Sequence, residues 1–459
     1  MIWKRKKKLQ GLHLILSVFV GVAACRPAAK EQGLEAAKGS DFKIGVMFFN
    51  GNRDSRSVHA INMAIEDVNA AGIFTRKWVA DFNFYDTRTD RMKLANTMIN
   101  EHRVDLVVSQ WSSTALHVLQ FTNRSNPHLV QCSADSTNTY INDPTIQDSE
   151  DLVISDKNGT LFRIVANDRK QTNVIWEQVR EKEKFAIIYI NDIYGASLKD
   201  ELTRKYAEAV KSNFPTEALL SYPASDFVLS QITDRLDALI AKSLEGTINT
   251  LILAGMSYDG SHILQYLTES PSPFRGHIIL SDGMIETNTF SPLSEAFDVW
   301  LKTEGNSLTG VSPEMDVGEN NEAWNRRLKE RTKLFDTYAP GAASCVYLVA
   351  LALLSAPKDE ELSPDAAKIG FQNFLTKNVS SQRDSYFAVA PTVQALKEAK
   401  EMAARGKKLL LNGPSGEIVF DDDGDRLHQR YEKLSIHYND GSFSFEKDTE
   451  CDGDSGMCE

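Results

Sequence analysis

"FKIGVMFF", residues 42–49, and "AINMAIEDVNAAGI", residues 60–73, set the pattern for the whole chain. The first is a short apolar run rich in strand-forming residues, while Ser57 to Ala71 around the second has helical period. A buried strand feeding an amphipathic helix is half of a βαβ unit. The alternation continues outward. "DFNFYD" (81–86), "VDLVVSQ" (104–110) and "HLVQC" (128–132) are separated by helical stretches at Arg88 to Glu101 and Ser112 to Asn123. A second series begins near Asn167, with "FAIIYIN", "ALLSYPA", "TLILAG" and "GHIILSDG" as strands. Its helices are expected around Thr172 to Lys182, Leu198 to Ser212, Asp226 to Lys242 and Gly260 to Glu269. Two doubly wound α/β lobes follow. Residues 313–405 read as almost wholly helical, and Ala342 to Leu354 is apolar on every face, as a helix buried between other elements would be. The chain closes with two short strands, "EKLSIHY" and "SFSF", joined by the hairpin signal Asn439-Asp440-Gly441.

The composition is that of a globular protein, 42% hydrophobic and 25% charged over 459 residues, long enough for two full cores. A net charge of −12 disfavours nucleic acid and an anionic membrane face as partners. Of the five cysteines, only Cys451 and Cys458 are close enough for a local disulfide, in a tail (446–459) whose acidic composition suggests loose order. Cys132 and Cys345 sit in apolar surroundings and read as inert core thiols.

The N-terminus has the form of an export signal. Lys4, Arg5, Lys6, Lys7 and Lys8 precede an apolar run from Gly11 to Ala24 that is shorter than the ~20 residues of a membrane-crossing helix. Its end, Val22-Ala23-Ala24-Cys25, resembles the lipobox of bacterial lipoproteins. That resemblance implies cleavage before Cys25 and a lipid anchor on its thiol; an ordinary signal with a chance cysteine is the alternative. Residues 1–24 then form the signal peptide and 25–40 a tether, and losing the five positive charges takes the net charge from −12 to −17.

Six further segments occur in an order that resembles the type 1 periplasmic solute-binding proteins, the class of the leucine/isoleucine/valine-binding receptors of ABC importers. They are "DLVVSQWSST", "VQCSADST", "FRIVANDRKQ", "AIIYINDIYGASL", "HIILSDG" and "NGPSGEIVFDDDGD", after the opening stretch already quoted. The resemblance covers roughly residues 41–445. It implies two Rossmann-like lobes joined by three crossovers, with 41–167 and 310–405 in the first and 168–309 and 406–445 in the second. A small ligand, an amino acid or related zwitterion, is then held between the lobes, facing the periplasm or exterior, and passed to a membrane permease.

Ligands of parallel α/β sheets bind beyond the carboxyl ends of strands, where helix N-termini offer free backbone N–H groups to an anion. Ser112 and Ser113 stand at such a point, and the resemblance makes them, with Ala134 and Ser136, the holders of a ligand carboxylate; a plain helix cap is the competing reading. From the second lobe, the resemblance puts Tyr194 in the cleft and makes Asp282 the partner of an ammonium, although an Asp-Gly pair also suits a turn. Trp111 and Tyr258 are further candidates for lining residues, and Met256 stands where branched-chain receptors carry an aromatic residue. Residues 138–160 look like an insertion.

No nucleophile elbow, P-loop, dinucleotide fingerprint or zinc-protease motif is present in the sequence, so a catalyst is not expected. No cofactor or metal site is expected either: "VFDDDGD" lacks the acids of a calcium loop at its first and twelfth positions and reads as a turn. The competing function is a cell-envelope sensor or regulator of a cell-wall enzyme, built on the same fold and carrying no solute.

Overall fold

The computed structural model describes residues 41–49, 55–85, 88–124, 128–143, 154–181, 184–314, 319–356, 363–375, 386–439 and 442–459. The signal, the tether and Cys25 lie outside the described residues, as does part of the insertion expected at 138–160. Among the described residues, no helix is long and apolar enough to cross a membrane.

Five parallel strands form the first sheet: β1 (Phe42–Phe49), β2 (Trp78–Tyr85), β3 (Leu106–Ser109), β4 (Gln131–Ser133) and β5 (Leu161–Arg163), in the order β2-β1-β3-β4-β5. β3, β4 and β5 are buried along their whole length, and the polar residues among them are met by partners, as where Gln131 donates to Ser109 Oγ and to the Ala115 carbonyl. Helix Arg56–Ala71 packs its apolar face on this sheet together with helix Ala339–Ser355, whose residues from Ala339 to Leu353 are all buried. A helix enclosed on every side has no polar stripe to show, hence its uniform apolarity.

The second sheet has the order β15-β14-β10-β9-β8-β6-β7. Its parallel part comprises β6 (Phe185–Asn191), β7 (Leu219–Pro223), β8 (Thr250–Ala254), β9 (His277–Leu280) and β10 (Ser307–Pro313). A small third sheet contains β11 (Tyr386–Val389), β12 (Lys408–Gly413) and β13 (Gly416–Glu417). The hairpin β14 (Arg430–Asn439) and β15 (Ser442–Asp452) then runs antiparallel along the edge of the second sheet.

Four sequence expectations need correction. Residues 313–405 are interrupted by β11, which pairs with β12. Residues 408–417 do not join the second lobe, because Leu409, Leu410, Leu411, Ile418 and Phe420 pack into the first core, whereas β10 carries the second sheet through Pro313. The tail is not loose: β15 extends through Asp452, and Cys451 is bonded to Cys458. Its polar composition misleads because β15 is an edge strand with one face in water. Cys132 and Cys345 are not thiols; they form a buried disulfide between β4 and helix Ala339–Ser355, 213 residues apart in sequence.

The two cores meet where the chain crosses between them, near residues 164–167, 313–314 and 420–430. The third crossing is tied down tightly. Arg163, only 1% exposed, donates from Nε and Nη2 to the two carboxylate oxygens of Asp425, and its Nη1 donates to the Asn138 carbonyl at 2.5 Å. The "DDDGD" turn that presents Asp425 is closed by Asp421 Oδ1, which accepts from the N–H groups of Asp423 and Asp425. Gly424 sits in the left-handed region (φ 81°), and a Cβ there would lie 2.4 Å from the Leu161 carbonyl, so glycine is required by both conformation and space.

Candidate functional site

The turns that follow strands β3, β6 and β9 meet around one cleft, and each leads into helical structure. After β3 the chain passes through Gln110 and Trp111 into helix Ser112–Arg124. Trp111 holds φ at 67°, a left-handed conformation uncommon for a bulky residue, and its carbonyl accepts from the N–H groups of Thr114 and Ala115. After β6, Asp192 caps helix Ile193–Val210 by accepting from the N–H groups of Tyr194 and Gly195 at 3.0 Å each, which fixes Tyr194 in the first turn. After β9, Ser281 to Met284 form a single tight turn that presents Asp282.

These turns line a cleft of about 410 Å³, open mouth included. Trp111, Ser112, Tyr194 and Asp282 all face it, joined by Met256 and Ile285. Asp282 is the most fully engaged. Its Oδ1 accepts from the Tyr194 hydroxyl at 2.5 Å and from the Gly283 N–H at 2.9 Å, and its Oδ2 accepts from the Tyr338 hydroxyl. Tyr338 precedes helix Ala339–Ser355 of the first core, so this last bond joins the two lobes across the cleft.

Three further acids line the space, and none was singled out from sequence. Asp135 accepts from the Trp111 N–H through Oδ1, while its Oδ2 is buried with no hydrogen-bond partner. Asp336 accepts from the Ser57 hydroxyl at 2.5 Å and from the Tyr338 N–H at 2.9 Å. Glu286 forms an isolated bridge with Asp336. Asp135 stands between two residues that were named, Ala134 and Ser136, so the "SADST" motif did point to it. Glu286 and Asp336 are brought together only by the hinge and leave no mark in local sequence.

The expected carboxylate holders are placed differently. Ser112 lines the cleft, with its Oγ accepting from the Asn138 N–H at 3.3 Å. Ser113 turns away, accepting from Arg91. Ala134 commits its N–H to the Ser109 carbonyl at 3.2 Å, and Ser136 is fully buried outside the cleft lining. Tyr258 is 62% exposed and does not line the cleft. Which side chain of this loop faces inward depends on the local backbone, here bent by the left-handed Trp111.

Burial pushes the carboxyls of Asp135 and Asp282 upward, well above the usual carboxylate range for Asp135. Desolvation, reinforced by the charge of Asp336 and opposed by a hydrogen bond from Ser257, raises Glu286 to about 7. An acid whose folded pKa lies above its unfolded value binds more protons when folded, so stability is highest at acid pH and falls as pH rises from about 4.5 to 7. For Glu286 this amounts to roughly 3 kcal/mol at most. The ligand-free protein should therefore resist urea better at pH 5 than at pH 8, and Glu286→Gln should flatten part of that slope. An unchanged slope in the variant would show that Glu286 is not one of the groups responsible.

The comparisons with known proteins agree with the fold. The family model for the receptor family ligand binding region matches residues 56–439. A periplasmic binding protein from Burkholderia mallei superposes with a TM-score of 0.60 at 13% identity, covering 91% of this chain and 96% of that one. A leucine binding protein from Thermotoga maritima gives 0.57 at 13% identity, covering 88% and 97%. A solute binding protein of an ABC transporter from Rhodopseudomonas palustris, in complex with 3,4-dihydroxybenzoic acid, gives 0.58 at 11% identity, covering 90% and 98%. No curated relative matches the chain.

Proposed function

Because the chain belongs to the receptor family ligand binding region family and has the type 1 periplasmic binding protein fold, we propose that it captures a small molecule between its lobes outside the cytoplasm and delivers it to an ABC importer. In this reading Cys25 carries the lipid that holds the protein at the membrane, and the first 24 residues are removed. The observation that carries the reading is the cleft itself, lined from both lobes and crossed by the Tyr338 to Asp282 hydrogen bond. A group bridged in this way from two sides is where closure around a solute is sensed. Four protein donors, the hydroxyls of Tyr194 and Tyr338, the Gln171 side chain and the Gly283 N–H, surround the Asp282 carboxylate, and in this reading a cationic nitrogen of the ligand displaces one of them.

Binding to the native state alone adds RT ln(1 + [L]/Kd), about 2.7 kcal/mol at a hundredfold excess over Kd. A solute library covering amino acids, amines, aromatic acids and sugars should contain a compound that raises the melting temperature and reduces the radius of gyration in X-ray scattering. If no compound changes either quantity, the capture role is wrong.

A further inference from the structure

In a receptor for a zwitterion, the N-terminus of helix Ser112–Arg124 would receive the ligand's carboxylate. Here the protein places a carboxylate of its own there: Asp135 takes the Trp111 N–H. Around the rest of the cleft stand Asp282, Glu286 and Asp336, and among the described residues the lining contains no lysine, arginine or histidine. On the first-lobe side, the Arg91 guanidinium donates to Ser113 and lies 4.9 Å from the centre of the Tyr85 ring, outside the lining. Arg56 lies 6.0 Å from the Phe335 ring and is also outside it.

A second observation is independent of the clustering. Asp135 is 5% exposed, and its Oδ2 has neither a hydrogen-bond donor nor solvent. A buried carboxylate oxygen in that state is costly unless a cation or donor arrives to meet it. Among the described residues, no group of three acidic, histidine or cysteine side chains is arranged to hold a metal ion. The cleft instead adds aromatic walls, Trp111, Tyr194 and Tyr338, of the kind that receive organic cations.

We infer that the solute is an organic amine without a carboxylate, bound with its cationic nitrogens between Asp135 on the first lobe and Asp282 and Glu286 on the second. This rests on the capture role proposed above and narrows its ligand class. A ligand carboxylate would meet Asp135 at the helix N-terminus and find, among the described residues, no cation in the lining to offset the repulsion.

The test uses the soluble chain from residue 26 and matched pairs of amino acids and their decarboxylated amines: arginine and agmatine, ornithine and putrescine, lysine and cadaverine, tyrosine and tyramine. Titration calorimetry should show at least one amine binding tenfold or more tighter than its parent amino acid. Asp135→Asn, which keeps an acceptor for the Trp111 N–H but removes the charge, should weaken that amine tenfold or more; circular dichroism and melting temperature establish that the variant is folded. An amino acid that binds as tightly as its amine, or an anion such as benzoate as the tightest ligand, would overturn the inference while leaving the capture role intact. If neither these pairs nor the wider solute library yields any binding, the capture role fails and takes this inference with it.

Discussion

Replacing Asp425 by alanine is expected to destabilise the folded protein by about 3–5 kcal/mol, the usual cost of removing one partner of a buried ion pair. The guanidinium of Arg163 is almost wholly enclosed, and Asp425 supplies both carboxylate oxygens to it. Without that carboxylate, the charge would remain buried with the Asn138 carbonyl as its closest remaining acceptor. Asn167 would also lose the contact its Nδ2 makes with Asp425 Oδ2 at 3.3 Å. Urea denaturation followed by tryptophan fluorescence is the measurement, and Asp425→Asn, which keeps an acceptor, should lose less. A loss below about 1 kcal/mol for the alanine variant would place the pair in the surface class, contrary to its burial.

The second large effect concerns binding. Asp282→Asn retains the shape, with its oxygen accepting from one tyrosine hydroxyl and its amide donating to the other, but removes the charge, so affinity for a cationic solute should fall by far more than stability does. Losing one side of a buried, hydrogen-bonded charge pair costs about 2–5 kcal/mol, or roughly thirtyfold to several thousandfold in Kd. Calorimetric titration with the tightest-binding amine measures it. A change of less than about threefold, under ~0.7 kcal/mol, would make Asp282 solely a brace for Tyr194 and Tyr338.

The strands that decide the fold are visible in sequence because buried parallel strands are short apolar runs: "FKIGVMFF" is β1 and "FAIIYIN" is β6. The strand β11 escaped notice because its four residues are half exposed and gain their place by pairing with β12, an interaction that local composition does not encode. In the cleft, Trp111, Ser112, Tyr194 and Asp282 could be located because they follow strand ends whose positions the apolar runs reveal. Glu286 and Asp336 could not, since 50 residues separate them and only the hinge brings them together. The Cys132 to Cys345 bond escaped for the same reason.

That bond also orders events during biosynthesis. Between Cys132 and Cys345 the chain includes every strand from β5 to β10, so the whole parallel part of the second sheet emerges before the sulfur partner does. The second lobe can mature as a continuous segment apart from its closing hairpin, while the first must wait for helix Ala339–Ser355 to fill its core. Contacts this distant in sequence form late. Closure of the Cys132–Cys345 disulfide, in which both thiols give up their hydrogens to an external oxidant, thus marks the moment when a lobe written in two instalments is completed.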